Sequence, residues 1–466
     1  MTKIAVGLDS PPQDVLKVPA IETLAPGSLG HLDDGLKREI NQLGFAAITL
    51  NGVIGGGLFA LPALAAAKVG LFSPWLFLLC GTLFMTIVLS FARLSRLFSQ
   101  TGGPSVYVSE SFGPMLGFQT GWLLYLGRVT AMAANANLMA IYLSWFFPAL
   151  DSMLLRSVVI TLIIGSLTVV NFIGIRQGIN TILVLTVLKL LPLALLIGVG
   201  LPQLSLAIGA ADLPSSPVLG EAVLVLFYAF VGFEGGAINA GEGHRPRHDI
   251  PRALIKTVLF TAFLYFLIQW LAISVLPDLG KSKQPLADVA NILMGNWGAG
   301  LIVFAAVVSI FGNLSSVMLA APRMTFALAR DGGLPHWFAA INPRFATPAN
   351  SILVVGLFSL ALALSNTFVY LAIMSTLVRL VGYTLCIASL PILERRAGRW
   401  PSGLAAFRAA AMPLAACLLC LILMTFASWQ AWLTLLAFSA GGSIFYVLAR
   451  RTELASSVQA HRKSRH

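Results

Sequence analysis

Two glycine-rich stretches interrupt apolar segments that are long enough to cross a bilayer. The first is Gly55-Gly56-Gly57, within residues 43–68, and the second is Gly232 to Gly236, within residues 219–241. Each glycine in a helix interior costs about 1 kcal/mol relative to alanine. Main-chain groups released at membrane depth are tolerated only inside protein or beside a cavity. The two stretches therefore predict two broken helices that offer main-chain groups to a binding site.

The ends of a broken helix favour charged ligands. The amides of Gly55, Gly56 and Gly57 would open a half-helix that starts near Leu58, and such a helix N-terminus attracts a carboxylate. Main-chain carbonyls at the ends of the two preceding half-helices suit an ammonium group. These carbonyls belong to Val53, Ile54, Phe230 and Val231. With Gly232, the residues predict a receptor for a zwitterion such as an amino acid.

Ionisable side chains also fall inside apolar segments, where they are costly and mark functional sites by default. Glu234 is the only acidic residue predicted well inside the hydrocarbon region. It either couples a proton to transport or caps amides freed by the second break. Lys189 either serves the site or extends to an interface. Arg128 would disfavour cationic substrates if it reached the site, and Arg379 is a third cation within a span.

The elements that position these residues follow from composition. The chain has 466 residues, of which 58% are hydrophobic and 10% charged, against about 25% charged in soluble domains, and its mean hydropathy is +0.87. We expect an all-α polytopic membrane protein with about twelve spans. The predicted spans cover residues 43–68, 71–98, 117–146, 153–172, 180–201, 219–241, 252–276, 297–327, 350–366, 367–393, 404–426 and 429–448.

The two glycine breaks occupy the first span of each of two five-helix groups. Because each group has an odd number of spans, the second group enters the membrane from the opposite side. Paired interrupted spans of this kind indicate a midplane site in secondary transporters, although glycines also serve close helix packing. We expect a cytoplasmic tail over 1–42, a five-helix repeat over 43–201, its inverted counterpart over 202–393, two further helices over 394–448 and a cytoplasmic tail over 449–466.

The net charge of +12 follows from the loops rather than from a nucleic-acid partner. Most of the 30 Lys and Arg residues fall on one predicted side of the membrane, as the positive-inside rule requires of the cytoplasmic side. The predicted outer loops hold only Lys68, Arg156, Lys281 and Lys283. We therefore expect an integral protein of the plasma (cell inner) membrane with both termini in the cytoplasm. We expect no cleaved signal peptide before the first span.

The remaining reactive residue types favour packing or solvent over chemistry. The four cysteines lie in apolar segments, so we expect no disulfide-linked partner. His244 and His248 lie in a proline-containing loop, where a solvated role is the simpler interpretation. We expect no metal and no cofactor. Since the sequence holds no nucleophile–base set and no P-loop, it predicts neither an enzyme nor ATP-driven transport.

Four groups of motifs, in order along the chain, carry a family resemblance. Their residues are Gly52–Phe59 (GVIGGGLF); Gly102-Gly103 with Gly117–Trp122; Phe227–Glu234 (FYAFVGFE) with Glu242 and Asp249–Ala253; and Arg323 with Asp331–Pro335 and Thr347-Pro348. The chain resembles the amino acid-polyamine-organocation (APC) superfamily over nearly its whole length. The resemblance implies a LeuT-like fold, a five-plus-five inverted repeat whose first and sixth helices are discontinuous, and amino acid transport by alternating access.

The resemblance also implies roles for single residues. Tyr228 matches an aromatic residue that closes over the substrate, and Glu234 matches the family's sixth-span acid. Lys189 matches a lysine whose ammonium replaces a sodium ion, which implies sodium-independent transport. The family usually has serine at the position of Gly56, so the expected carboxylate site here has only main-chain donors. The polar residues Asn135, Asn137, Asn313, Ser315 and Ser316 are candidates for the site or for contacts between helices.

The predicted function is secondary active transport of an amino acid, either coupled to protons or by exchange. Two alternatives remain open at this point. A polyamine or amine permease of the same superfamily would be expected to have several acidic residues in its site, and only Glu234 is available. A membrane nutrient sensor would bind the same ligand without flux, and would usually have a larger signalling tail.

Overall fold

Helices form the architecture of this protein. The computed structural model describes residues 40–99, 102–174 and 179–463. The predicted N-terminal tail lies outside these residues except for its last three positions. The helices are α1 (Gln42–Val53), α2 (Gly57–Val69), α3 (Ser73–Ser95), α4 (Pro104–Phe112), α5 (Pro114–Leu143), α6 (Met153–Phe172), α7 (Ile179–Gly200), α8 (Ser216–Leu226), α9 (Gly235–Ile238), α10 (Pro246–Val275), α11 (Pro285–Arg330), α12 (Ala349–Ser365), α13 (Phe368–Arg396), α14 (Leu404–Thr425) and α15 (Trp429–Lys463).

Both glycine stretches interrupt a helix. Helix α1 begins where the Asn41 side chain accepts a hydrogen bond from the amide of Gly44 at 2.9 Å, a typical N-cap. It ends at Val53, and α2 starts again at Gly57. In the second stretch α8 ends at Leu226 and α9 starts only at Gly235. Between them Gly232 has a φ of +100°.

The helices separate into an inner group and an outer group. Helix α3 packs on α10, while α5 packs on both α13 and α11, and α11 also packs on α7. In the most apolar stretch of each helix, 67% of α11 and 72% of α13 are buried, whereas only 17% of α6 and 17% of α15 are buried. The outer helices therefore present apolar surface outwards, as lipid-facing helices do.

The close approach of α3 and α10 depends on Gly81. A Cβ atom at Gly81 would collide with the Cβ of Ala262 on α10. Small residues allow this kind of backbone approach between membrane helices.

Eight helical segments among the described residues are long and apolar enough to cross a membrane, and two shorter apolar helices accompany them. The predicted all-helical polytopic membrane protein is confirmed. Helix α4 was absent from the predicted spans. Helix α11 begins twelve positions before the predicted span at 297, because a second helical segment joins it across a kink at Gly295, which has a φ of +66°. Helix α15 also continues beyond the predicted end at Leu448.

Candidate functional site

The two helix breaks touch through their backbones. A Cβ atom at Gly52, near the end of α1, would lie 2.5 Å from the carbonyl oxygen of Gly232. A Cβ atom at Gly232 would collide in turn with the carbonyl oxygen of Gly52. Glycine at both positions therefore allows main chain from the two breaks to meet.

A cavity of about 40 Å³ lies at this junction. It is large enough for a few water molecules. Both breaks contribute to its wall, together with side chains from α5, α11 and α13. The lining residues are Gly52, Val53, Gly55, Gly56, Gly57, Arg128, Ala131, Asn135, Tyr228, Val231, Gly232, Asn313, Ser316, Val317 and Arg379.

Seven of the predicted site residues line this cavity, namely Val53, Gly55, Gly56, Gly57, Tyr228, Val231 and Gly232. Ile54, Phe230, Lys189 and Glu234 are fully buried outside the lining. A role for any of these residues in substrate binding stays a prediction.

Two asparagines secure the first break. The amide N–H of Gly56 donates to Oδ1 of Asn135 on α5 at 3.0 Å. The Asn135 Nδ2 donates to Oδ1 of Asn313 on α11 at 2.9 Å. Asn313 then donates from Nδ2 to the carbonyl oxygens of Asn51 and Gly52, at 3.1 and 3.2 Å. This chain of hydrogen bonds links the broken helix to α5 and α11.

The contact with Asn135 explains the glycine at position 56. A Cβ atom there would collide with Asn135 Oδ1 and lie 2.6 Å from Cδ2 of Leu138. An amide oxygen from α5 therefore occupies the space that a serine side chain would need. The Gly56 amide, which the sequence predicted as a free donor, is already paired in this conformation.

The carbonyl oxygen of Ile54 is also occupied. Lys189 on α7 donates from Nζ to it at 2.8 Å, and the Ser309 hydroxyl donates to it at 3.1 Å. Lys189 has no exposed surface. The sequence predicted that the Ile54 carbonyl binds the ammonium group of a substrate. In the structure the ammonium group that it binds is that of Lys189.

Aromatic rings close the second break. The Tyr228 ring packs edge-on against Phe368, with 5.8 Å between ring centroids. Its hydroxyl is buried and has no hydrogen-bond partner among the described residues. The Phe230 ring instead packs against Phe84 and Tyr265, away from the cavity lining.

Glu234 is a fully buried carboxylate with four contacts. Its Oε2 accepts hydrogen bonds from the amide of Gly232 at 3.0 Å and from the hydroxyl of Tyr383 at 2.8 Å. Its Oε1 lies 3.4 Å from Nε of Arg379 and 3.6 Å from Nη2 of Arg128. The carboxylate therefore ties the second break to α5 and α13.

Arg379 and Tyr383 are contacts of Glu234 that the sequence interpretation did not assign. A buried acid needs a counter-charge, and Arg379 was already recognised as a cation within a span. The need for a counter-charge could therefore have identified Arg379 as a partner of Glu234. No feature of the sequence indicated Tyr383.

A larger cavity, of about 260 Å³, lies between α6, α11 and α12. Its lining includes Asn171, Arg323 and Thr347, near the ends of these helices. It includes neither helix break and no acidic residue of the described chain. The smaller cavity is therefore the better candidate for a site that depends on main-chain groups.

Comparison with known proteins agrees with this architecture. The sequence profile of the amino acid permeases matches residues 40–448, which is most of the chain. The chain belongs to the amino acid permease family. The resemblance to the APC superfamily that the motifs indicated is thereby confirmed.

Named relatives of this permease are transporters. An uncharacterised transporter of Mycobacterium tuberculosis is 31% identical over 71% of this chain and 75% of the relative. The serine/threonine exchanger SteT of Bacillus subtilis is 29% identical over 78% of this chain and 85% of its own. The arginine/ornithine antiporter ArcD1 of Lactococcus lactis is 26% identical over 90% of this chain and 86% of its own.

Replacing Gly56 with serine should lower amino acid uptake by the permease about fivefold or more, since overpacking a tight site costs about 1–3 kcal/mol. The substitution Asn135→Ala removes the closest obstructing atom. The double variant Gly56→Ser/Asn135→Ala should therefore recover part of the lost uptake. Uptake into proteoliposomes, normalised to reconstituted protein, measures both effects, and normal uptake by Gly56→Ser alone would contradict this account.

Proposed function

We propose that this protein is a secondary amino acid transporter that works by alternating access and exchanges one amino acid for another. The observation that carries the proposal is the cavity at the meeting point of two helix breaks in a member of the amino acid permease family. Exchange is the preferred mode because two relatives are an exchanger and an antiporter.

Helix packing supports the five-plus-five inverted repeat. In such a repeat α3 corresponds to α10, α5 to α11, and α7 to α13. Exchanging the two repeats then turns the contact of α5 with α13 into the contact of α11 with α7. The same exchange leaves the contact between α3 and α10 unchanged. All three contacts are present. We assign residues 43–201 and 202–393 to the two repeats, and α14 and α15 to two further spans that bring the total to about twelve.

The two ends of a zwitterion have candidate partners in the cavity wall. The first turn of α2 begins at Gly57, and the amides of Phe59 and Ala60 in that turn donate to the carbonyl oxygen of Gly56. The amides of Gly57 and Leu58 remain as the donors that bind the α-carboxylate of the substrate. The carbonyl of Val231, beside the second break, binds the α-ammonium group. Tyr228 closes the cavity, with its hydroxyl available to the substrate.

Lys189 makes transport independent of sodium. Its ammonium group binds the Ile54 carbonyl directly beside the first break, with no solvent-exposed surface. A cation already bound to this carbonyl leaves no need for a sodium ion at that position. The ammonium group of Lys189 would thereby take the place that a sodium ion occupies in a sodium-coupled transporter.

The narrowness of the cavity supports alternating access. In this conformation the cavity measures about 40 Å³, so we infer that the helices around the breaks separate to admit the substrate. We assign the protein to the cell inner membrane with both termini in the cytoplasm, on the distribution of Lys and Arg between the predicted loops.

Counterflow in liposomes tests this function. Purified protein is reconstituted in liposomes loaded with a mixture of unlabelled amino acids, and entry of each labelled amino acid is measured. We expect at least one amino acid to enter several-fold faster than into liposomes without internal amino acids, and equally fast in sodium and choline buffers.

Each alternative gives a different result. Ligand-induced thermal stabilisation without flux would favour a sensor, and uptake stimulated by sodium would contradict the assignment of Lys189. Competition by spermidine but not by amino acids would favour a polyamine permease. We expect no such competition, because Arg128 and Arg379 line the cavity and would repel a polycation.

A further inference from the structure

We infer that the cavity selects an amino acid with an acidic side chain, and that Arg128 is the residue that determines this specificity. The inference rests on the proposed function, since it names the substrate class of the same site.

Arg128 is a buried cation whose donors are not satisfied. It lies on α5, has 7% of its surface exposed and lines the cavity. Its Nε and Nη2 atoms have no hydrogen-bond partner in the described part of the chain. Its ion-pair contact is with Oε1 of Glu234, at 3.6 Å from Nη2, which is beyond hydrogen-bond distance. Buried donors of a charged group require acceptors, and the adjoining cavity is where a ligand could supply them.

The charges around Glu234 leave one cation in excess. Arg379 is well anchored, since it contacts Glu234 through Nε and donates from Nη1 to the carbonyl and hydroxyl oxygens of Ser375. The carboxylate of Glu234 already accepts from the amide of Gly232 and the hydroxyl of Tyr383. One carboxylate thus serves two guanidinium groups, and no Asp or Glu of the described residues lines the cavity. A carboxylate on the ligand would balance the charge.

The position of Arg128 on α5 assigns that carboxylate to the substrate side chain. Asn135, which binds the amide of Gly56 in the first break, follows Arg128 by seven residues. Seven residues are about two helical turns, so both side chains lie on the same face of α5 and about 10 Å apart along its axis. Asn135 therefore marks the carboxylate-binding end of the cavity at the first break, and Arg128 marks the end near Glu234. A ligand bound at the first break by its α-carboxylate would direct a side-chain carboxylate towards Arg128, the cation of the same cavity wall.

Competition in the counterflow assay tests this specificity. Aspartate and glutamate are compared with their neutral amides, asparagine and glutamine, and with arginine and ornithine. We expect the acidic amino acids to compete at concentrations about tenfold or more below those of the amides, as a hydrogen-bonded charge provides, and the cationic ones to compete least. Arg128→Gln should bring acidic and amide competitors within about twofold of each other while transport of neutral amino acids continues.

Arg156→Gln is the matched control. Arg156 pairs with Asp151 at 3.6 Å, lies outside the cavity lining, and should leave the acidic preference unchanged. If Arg128→Gln fails to fold, the difference in thermal stabilisation of the unmodified protein by glutamate and glutamine still decides the question.

Equal responses to glutamate and glutamine in the unmodified protein would overturn the inference while leaving amino acid transport intact. An equal loss for all amino acids in Arg128→Gln would overturn it too, because Arg128 would then bind the α-carboxylate that they share. If no amino acid is bound or transported, the proposed function itself fails.

Discussion

Replacing Gly232 with alanine is expected to abolish amino acid uptake. Gly232 has a φ of +100°, a conformation that costs a residue with a side chain about 1–2 kcal/mol. The added Cβ atom would also collide with the carbonyl oxygen of Gly52. Since that oxygen belongs to the backbone, rotation of a side chain cannot relieve the collision. The two breaks would have to separate, which would displace the main-chain groups that line the cavity.

Two further variants make this result specific. Gly52→Ala introduces the same collision from the other side, at 2.5 Å from the Gly232 carbonyl oxygen, and should also eliminate uptake although its φ is not positive. Gly165→Ala on α6 is the control, because within the described ranges no atom beyond its own stretch of helix lies within 4 Å of its Cβ position. It should retain uptake and gain up to about 1 kcal/mol of stability from helix propensity. Wild-type uptake rates in Gly232→Ala would show that the breaks need not touch.

The breaks themselves could be found from sequence because their signal is local. Glycines in a run of apolar residues disfavour a helix wherever the rest of the chain lies, and at both stretches the helix is interrupted. The start of α11 could not be predicted from local sequence in this way. Its early start depends on the kink at Gly295, and a single glycine inside an apolar segment does not reveal whether a helix continues past it.

The partners of the site residues depend on distant parts of the chain. The Gly56 amide binds a side chain 79 residues away, and Glu234 contacts Arg379 across 145 residues. Helix α5 is buried along most of its length, so its sequence does not specify which acceptor meets which donor. The lack of space for a side chain at Gly56 therefore becomes visible only once the position of Asn135 is known.

The same limit applies to Ile54 and Phe230. The position of a residue next to a break predicts that its carbonyl is not hydrogen-bonded within the helix. It does not predict which groups that carbonyl contacts. The Ile54 carbonyl faces Lys189 and Ser309. The family resemblance related Lys189 to a sodium site, and its contact with the Ile54 carbonyl could not be predicted from that resemblance.

Removal of the Glu234 side chain is the second change with a large expected effect. Glu234→Ala would leave the guanidinium groups of Arg128 and Arg379 buried without their counter-charge, and would free the amide of Gly232. Loss of one member of a buried ion pair costs about 3–5 kcal/mol. We expect a marked fall in the thermal unfolding temperature in detergent and loss of uptake. As a control, Glu221→Gln breaks an exposed pair with Lys68 and should change stability by no more than about 1 kcal/mol.

Glu234→Gln separates the two roles that the sequence left open for this residue. Its amide oxygen can still accept hydrogen bonds from Gly232 and Tyr383, but it carries no charge and cannot bind and release a proton. Glu234 contacts two guanidinium groups and accepts hydrogen bonds from Gly232 and Tyr383, so we expect a positioning role. The variant should then transport more slowly with an unchanged pH profile, and Glu234→Gln/Arg379→Met should regain part of the lost thermal stability, because it removes an unpaired buried charge. Loss of pH-stimulated uptake at an otherwise normal maximal rate would instead identify Glu234 as the proton carrier.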